Sequence, residues 1–319
     1  MKSVFLTEPI NESGVELLEK SATVIVGTAV DKDTIIKEAK GCDAMLIRSA
    51  KITEEIMKNI PTLKIIAKHG IGVDNIDLEA ASKLGILVVN APISNLNAVA
   101  EHVLGMIFAL SKNFVEMDQR TRDGQFAMRT KVVNIELEGK TIGIIGLGKI
   151  AMLLVKKLSA LDVQIIGYDP FVNEATAKEH GVKLVYDIDD IYKQSDFITI
   201  HVPLTKDTKA MIGLEQFNMM KKSACLINAA RGEIVKELDL YEALKNGVIK
   251  AAAIDVFESE PPEDDNPLFE LSNIVLSPHN AALADGALVN MAVHSAQGIV
   301  DFLEGGRPKY IVNPKVFKV

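Results

Sequence analysis

The sequence predicts an α/β fold made of two parallel-sheet units, each with helices on its faces. Three observations carry that prediction. Short apolar strand signals alternate with helix signals through residues 1–92. The alternation resumes at residue 141, opening on a strand, a glycine turn and a helix. The composition is 48% hydrophobic with only 5% aromatic residues, and Val, Ile, Leu and Ala suit strands buried on both faces.

Residues 4–7, 23–26, 44–47, 63–67 and 86–89 read as strands. Residues 12–20, 34–39 and 54–59 read as helices, the last stopped by Pro61. This alternation gives a parallel sheet, and without a glycine fingerprint it is a second α/β unit, not a dinucleotide site. Open parallel sheets gather ligands at the C-terminal ends of their strands. Arg48 closes the third strand, and Lys68-His69-Gly70-Ile71-Gly72 closes the fourth. Gly70 and Gly72 let backbone N–H groups face a carboxylate. Arg48 and Lys68 suit a second anionic group; the alternative is that both are solvated surface cations.

Residues 95–111 read as a helix apolar on nearly every face, buried between domains or between subunits, with Asn95 or Asn97 as its cap. Its exceptions, Glu101 and His102, are expected to bond neighbouring loops. Residues 112–140 are charged and read as an irregular stretch that wraps a partner subunit.

The run Thr141-Ile-Gly-Ile-Ile-Gly-Leu-Gly-Lys-Ile-Ala151 then meets the needs of a dinucleotide. Gly146 allows the tight turn out of the strand, and Gly148 lets the backbone approach a pyrophosphate. Ala151 is small enough for close helix–strand packing, and the helix N-terminus favours the phosphates. A second strand ends in Asp169, whose carboxylate accepts ribose hydroxyls and repels a 2′-phosphate. No arginine follows it, so the cofactor reads as NAD and not NADP. Strands at 197–202, 224–228, 249–255 and 273–276 continue the sheet, with helices at 238–245 and about 285–304. The last helix is expected to return to the first domain. The domains are then 1–96 with 288–319, and 97–287.

Three successive strand ends of this Rossmann unit carry Arg231, Glu260 and His279. Hydride transfer to a 2-keto acid needs a group that grips the carboxylate and a proton donor for the forming alkoxide. The planar fork of Arg231 suits the first task, and His279, of a residue type that titrates near neutrality, suits the second. Glu260 would orient the imidazole, and Asp255 would accept a hydrogen bond from a nicotinamide amide.

A net charge of −8 excludes nucleic acid as the primary partner but not a small anionic substrate. Cys42 and Cys225 lie in apolar surroundings without metal spacing and read as reduced, buried thiols; no metal is expected. No apolar run approaches membrane-spanning length, and the N-terminus has no sustained apolar segment, so a cytoplasmic protein with no membrane partner is expected.

These residues resemble the D-isomer-specific 2-hydroxyacid dehydrogenases. The resemblance runs over essentially the whole chain, on Gly146-Leu-Gly-Lys-Ile-Ala151, Gly167-Tyr-Asp169-Pro, His201-Val-Pro-Leu204, Asn228-Ala-Ala-Arg231-Gly232, Asp255-Val-Phe-Glu-Ser-Glu260-Pro and Ser277-Pro-His279-Asn-Ala-Ala282. It implies a flavodoxin-like α/β substrate domain beside the Rossmann domain, and a homodimer built through the latter. It implies that Arg231 binds substrate carboxylate and carbonyl, that His279 is the acid/base and that Glu260 partners it. It implies NAD contacts from Lys149, Ile150, Asp169, Val202, Pro203, Ala229, Ala230 and Asp255, and a substrate carboxylate on the N–H groups of Ile71 and Gly72. Glu260 with His279 speaks against the formate dehydrogenase branch, which has glutamine there.

Within the family the resemblance is nearest to the 3-phosphoglycerate dehydrogenases, although Lys68 stands where those often have arginine. That implies 3-phosphoglycerate and 3-phosphohydroxypyruvate as substrates, and serine biosynthesis as the setting. Hydroxypyruvate or glyoxylate reductase and reductases of bulkier 2-keto acids are the rivals. From another class, the C-terminal-binding-protein corepressors resemble the same family, and an NAD-sensing binding protein of that kind is the third alternative.

Overall fold

The computed structural model describes residues 2–316; the last residues of the expected tail lie outside them. The chain forms two compact units, Asn97–Ala281 and the chain on either side of it.

The flanking unit is built on five strands: β1 (Ser3–Leu6), β2 (Thr23–Val26), β3 (Ala44–Ile47), β4 (Ile65–Lys68) and β5 (Leu87–Val89). All pair in parallel in the order β2-β1-β3-β4-β5. That is the flavodoxin-like order, whose ligand crevice opens where β1 and β3 diverge. β3 and β4 are covered on both faces, which is why their sequences run as continuous apolar stretches. One face packs Phe5, Met45, Ile47, Ile66 and Val88 against helices Lys32–Glu38, Glu54–Asn59 and Leu78–Lys83. The other packs Val4, Leu6, Ala67 and Val89 against Glu12–Glu19 and the returning helix Asp285–Leu303. The return depends on a glycine. A Cβ at Gly14 would stand 2.8 Å from Ala292 Cβ, so the two helices touch backbone to side chain.

The other unit has seven parallel strands: β6 (Thr141–Ile145), β7 (Gln164–Tyr168), β8 (Lys183–Leu184), β9 (Phe197–Ile200), β10 (Cys225–Asn228), β11 (Ala251–Ile254) and β12 (Ile274–Leu276). Their order, β12-β11-β10-β9-β6-β7-β8, is the doubly wound order with its switch between β6 and β9. The helices Leu96–Ser111 and Lys149–Leu158 cover one face through Val103, Ile107, Leu154 and Leu158. The helices Ile188–Gln194, Leu214–Met219 and Glu237–Lys245 cover the other through Ile191, Phe217 and Leu240. Cys42 and Cys225 are buried and unpaired.

Several expectations change. The second division falls between residues 281 and 282, not at 288. The reason is that the whole helix Asp285–Leu303 packs on the flavodoxin-like unit, so no division can run inside it. Residues 112–140 are not irregular throughout: Phe114–Arg122 is helical and Phe126–Thr130 a 3-10 turn. The helix buries none of its side chains and is laced instead by i,i+4 pairs, Glu116–Arg120 and Asp118–Arg122, each at 2.8 Å. Neither asparagine caps the helix Leu96–Ser111 as expected: Asn97 donates to Glu101, and Asn95 Oδ1 is buried with no hydrogen-bond partner among the described residues. The helix Leu78–Lys83, capped by Asp77 on the Ala80 N–H, was not foreseen. Among the described residues no single helix is long and apolar enough to cross a membrane, and no group of acidic, histidine or cysteine side chains is arranged to hold a metal.

Candidate active site

The glycine turn leaves β6 through Gly146, which has φ +91°. A Cβ there would stand 2.8 Å from the His201 main chain, so β6 and β9 close together only around glycine. Gly148 opens the helix Lys149–Leu158 without a side-chain cap, and a Cβ at Gly148 would meet nothing within 4 Å. An uncapped helix N-terminus facing open space fits a pyrophosphate, with the N–H groups of Lys149 and Ile150 in its first turn. At the end of β7, Asp169 accepts from the Leu147 N–H at 2.9 Å and the Phe171 N–H at 2.8 Å. The carboxylate expected to meet a ribose is thus fastened to the glycine turn. Val202 and Pro203 leave β9, and the Pro203 carbonyl is held by Thr208 Oγ1 at 2.7 Å. This set of residues fits NAD.

Arg231, Glu260 and His279 follow β10, β11 and β12, three neighbours in the sheet. Asn228, the buried last residue of β10, shapes the loop that ends in Arg231. Its Oδ1 accepts the Ala230 N–H at 3.0 Å and its Nδ2 donates to the Arg231 carbonyl at 2.9 Å. Ala229 and Ala230 are therefore pinned between the strand and the arginine. Glu260 receives the Phe257 N–H on Oε1 at 3.1 Å and meets His279 Nδ1 on Oε2 at 2.6 Å. Burial pushes the Glu260 carboxyl up, but the bond and charge of His279, the Phe257 N–H and the Arg231 charge outweigh it. The carboxyl stays below its ordinary value and Glu260 is a carboxylate at neutral pH. With Nδ1 committed to Glu260, Nε2 is the edge of His279 left for proton exchange.

His279 has φ +50°, a conformation that costs a non-glycine residue energy and has to be held from outside. Asp255, fully buried, holds it. The Asp255 carbonyl accepts the His279 N–H at 2.7 Å. Its carboxylate accepts the Asn280 and Ala281 N–H groups, each at 2.9 Å, and the Ser277 hydroxyl at 2.6 Å. Ser277 Oγ lies in turn 3.1 Å from His102 Nε2 on the helix Leu96–Ser111. The loop bond expected of His102 is thus to the histidine-bearing loop itself, while Glu101 takes Lys157 and Asn97.

In the flavodoxin-like unit, Arg48 and Lys68 do stand at the ends of β3 and β4, but their side chains differ in availability. Lys68 turns inward: its ammonium bonds the Arg48 carbonyl and, at 3.0 Å, Asn75 Oδ1. Arg48 gives one nitrogen to the Pro9 carbonyl at 2.9 Å. Glu8, after β1, lies across the N–H groups of Arg48 and Ser49 at 3.1 to 3.2 Å. Burial raises the Glu8 carboxyl, and the Ser49, Thr7 and Arg48 bonds bring it below the ordinary value overall. Gly70, with φ +132°, begins the turn that carries Ile71 and Gly72, and Asn90 Nδ2 fixes the Ile71 carbonyl at 2.8 Å.

With this geometry in hand, the family model that matches is the NAD-binding domain of the D-isomer specific 2-hydroxyacid dehydrogenases, over residues 104–281. The chain belongs to this family. It is 41% identical to the D-3-phosphoglycerate dehydrogenase of Methanocaldococcus jannaschii over 314 residues, 98% of this chain and 60% of that protein. It is 37% identical to the glyoxylate reductase of Thermofilum pendens, over 99% of this chain and 96% of that one. Among solved structures, the D-lactate dehydrogenase of Aquifex aeolicus complexed with NAD and lactic acid superposes with a TM-score of 0.89 at 29% identity, covering 98% of this chain and 99% of that one. The chain spans 60% or less of the length of three of the phosphoglycerate dehydrogenases it matches.

In the terms of the dehydrogenase family, three contributors to the site were not given their roles by sequence reasoning. Asn228 was legible as a polar residue ending a buried strand. Ser277 and His102 are 175 positions apart, and nothing in the sequence links them. Asp255 was expected as a cofactor contact, and its anchoring of the His279 loop is an addition the sequence did not disclose.

Proposed function

We propose that the chain interconverts a small D-2-hydroxy acid and its 2-keto acid, with bound NADH supplying the hydride for reduction, or bound NAD+ taking it up for oxidation. The observation that carries this reading is the 2.6 Å contact of His279 Nδ1 with Glu260, on strand ends adjoining that of Arg231. Arg231 grips the carboxylate and polarises the keto oxygen through its planar fork. His279 delivers a proton from Nε2 to the forming alkoxide, or removes one in the reverse direction. Glu260 keeps the ring in the orientation that exposes Nε2. The N–H groups of Ile71 and Gly72 receive the substrate carboxylate, and Gly146, Gly148, Lys149, Ile150, Asp169, Val202, Pro203, Ala229, Ala230 and Asp255 line the cofactor.

The first substrate pair to test is 3-phosphoglycerate and 3-phosphohydroxypyruvate, supported by Arg48 at the end of β3 and by the relatives of that name. A second reading, hydroxypyruvate or glyoxylate, is favoured by the inward turn of Lys68, which spends the ammonium on Arg48 and Asn75. NADH oxidation with phosphohydroxypyruvate, hydroxypyruvate, glyoxylate, pyruvate and a branched 2-keto acid tests both. A kcat/KM for phosphohydroxypyruvate that is highest and falls in Arg48→Ala supports the first; an unchanged KM in that variant removes it. Absence of turnover with every acid overturns the enzymatic reading and leaves an NAD-sensing binding protein. We further infer a cytoplasmic homodimer. Phe114, Val115, Phe126 and Val133 are 58, 56, 65 and 80% exposed, and a second copy would cover them. A sedimentation measurement giving a monomer at micromolar concentration would refute the dimer.

A further inference from the structure

One acid that the mechanism does not use decides how Arg48 is held. Glu8 follows β1 and reaches across to the end of β3. In this strand order β1 and β3 flank the crevice where ligands of such a sheet collect. The chain leaves the sheet there, so the N–H groups of Arg48 and Ser49 need partners from outside the ladder. The Glu8 carboxylate takes both. Its Oε2 accepts the Arg48 N–H at 3.2 Å, and the Ser49 N–H reaches Oε1 at 3.1 Å and Oε2 at 3.2 Å. The Ser49 hydroxyl also donates to Oε1. The acid is itself held: the hydroxyl of buried Thr7 donates to its Oε2 at 2.7 Å.

The rest of Arg48 is fixed without loss of its charge. Its carbonyl accepts from the Lys68 ammonium and, at 3.1 Å, from Asn75 Nδ2. The inward turn of Lys68 thus serves Arg48. The guanidinium gives one nitrogen, Nη1, to the Pro9 carbonyl at 2.9 Å. A carbonyl braces the side chain without cancelling its charge, whereas a carboxylate in that place would cancel it. Among the described residues Arg48 makes no ion pair, so its charge and the other N–H groups of its fork stay available to an anion. Glu8 holds the main chain of the arginine and leaves the guanidinium alone.

We propose that Glu8 is a positioning residue: by clamping the Arg48–Ser49 main chain at the β1–β3 crevice, it aims the Arg48 guanidinium at the second anionic group of the bound acid. This inference rests on the reading in which Arg48 receives that group, the phosphate of 3-phosphohydroxypyruvate. The rival role for a carboxylate in this place is to repel the anion. The two roles move KM in opposite directions when the carboxylate is removed.

Steady-state NADH oxidation separates them. Glu8→Ala is expected to raise KM for phosphohydroxypyruvate about 10-fold, with kcat changed by less than about threefold. Pyruvate has no second anionic group, and its KM is expected to move by less than about threefold. Glu8→Gln keeps one carbonyl oxygen for the Arg48 and Ser49 N–H groups and is expected to fall between the parent and Glu8→Ala. It carries the test alone should the alanine variant not fold in a thermal melt. In an Arg48→Ala background, Glu8→Ala is expected to cost less than about twofold on phosphohydroxypyruvate, since no guanidinium is left to aim. A KM for phosphohydroxypyruvate that falls on removing Glu8, equal losses on both acids, or the same loss with and without Arg48 overturns the inference. A raised KM in Arg48→Ala beside a parental KM in both Glu8 variants overturns it alone and leaves Arg48 in its role. If Arg48→Ala itself leaves that KM unchanged, or the parent reduces no phosphohydroxypyruvate, the reading of Arg48 fails first and takes the inference with it.

Discussion

Gly232 is where a single methyl group does the most to separate the proposed catalytic side chains. It follows Arg231 directly and is buried. A Cβ built on it would lie 1.9 Å from the Phe257 carbonyl oxygen and 2.5 Å from the Glu258 N–H nitrogen, both main-chain atoms that cannot swing aside. Ordinary contact begins near 3.4 Å, so in Gly232→Ala the loops after β10 and β11 have to part by about 1.5 Å. Phe257 is also the residue whose N–H holds Glu260, so the movement is shared between Arg231 on one side and the Glu260–His279 pair on the other. A misplacement of about 1 Å between groups that act on one substrate costs about 100-fold in rate. Gly232→Ala is therefore expected to lose at least about 100-fold in kcat/KM for its best keto acid, with an overpacking cost of about 1–3 kcal/mol in stability. Stopped-flow NADH oxidation gives the first quantity, and chemical denaturation the second. NADH affinity, measured by nicotinamide fluorescence, is expected to fall at least tenfold less than kcat/KM. A variant that folds and works within about threefold of the parent would show that the close approach of these two loops has no bearing on the chemistry.

Three further outcomes follow from the same site. His279→Ala is expected to bind NADH normally and to lose about 100- to 10,000-fold in the reduction rate; a near-parental rate would remove it as acid/base. The Glu260 carboxyl is lower in the folded chain than its ordinary value of 4.5, so its contribution to stability is complete above that value and is lost as pH falls through the depressed one. The thermal-melt gap between parent and Glu260→Gln should accordingly be constant above about pH 5 and close on acidification, and a gap that widens in acid would contradict the sign. Asp169→Ser removes the carboxylate proposed to repel a 2′-phosphate and is expected to narrow the preference for NADH over NADPH at least tenfold, read from the two kcat/KM values; an unaltered preference would place cofactor selection elsewhere.

Both sheets were legible in the sequence because their strands are short apolar runs, and covered parallel strands leave no polar alternation to confuse the reading. The glycine turn and Asp169 stood out for a different reason: their spacing is the one a dinucleotide asks for. The same rule that sends ligands to strand ends picked out Arg231, Glu260 and His279. What the sequence did not disclose lies in contacts across long stretches of chain. The helix Phe114–Arg122 buries none of its side chains, so no apolar stripe turned to a core announced it, and its only helical mark was the four-residue spacing of its charges. Lys68 read as an outward cation because a sequence shows a charge and not its direction; Asn75, seven positions on, turns it inward.

The segment from Asp255 to Phe257 has a bearing on how such an enzyme changes over time. Its carbonyls and N–H groups anchor the His279 loop, hold Glu260 and abut Gly232, so the geometry proposed for proton transfer is set within one compact unit by a few consecutive residues. Arg48, proposed to choose the substrate, belongs to the other unit. Mutations can then explore new acids in one half of the protein while the chemistry in the other stays in tune. That division of labour gives a lineage room to pass from one 2-keto acid to another by small steps, each made by a working enzyme.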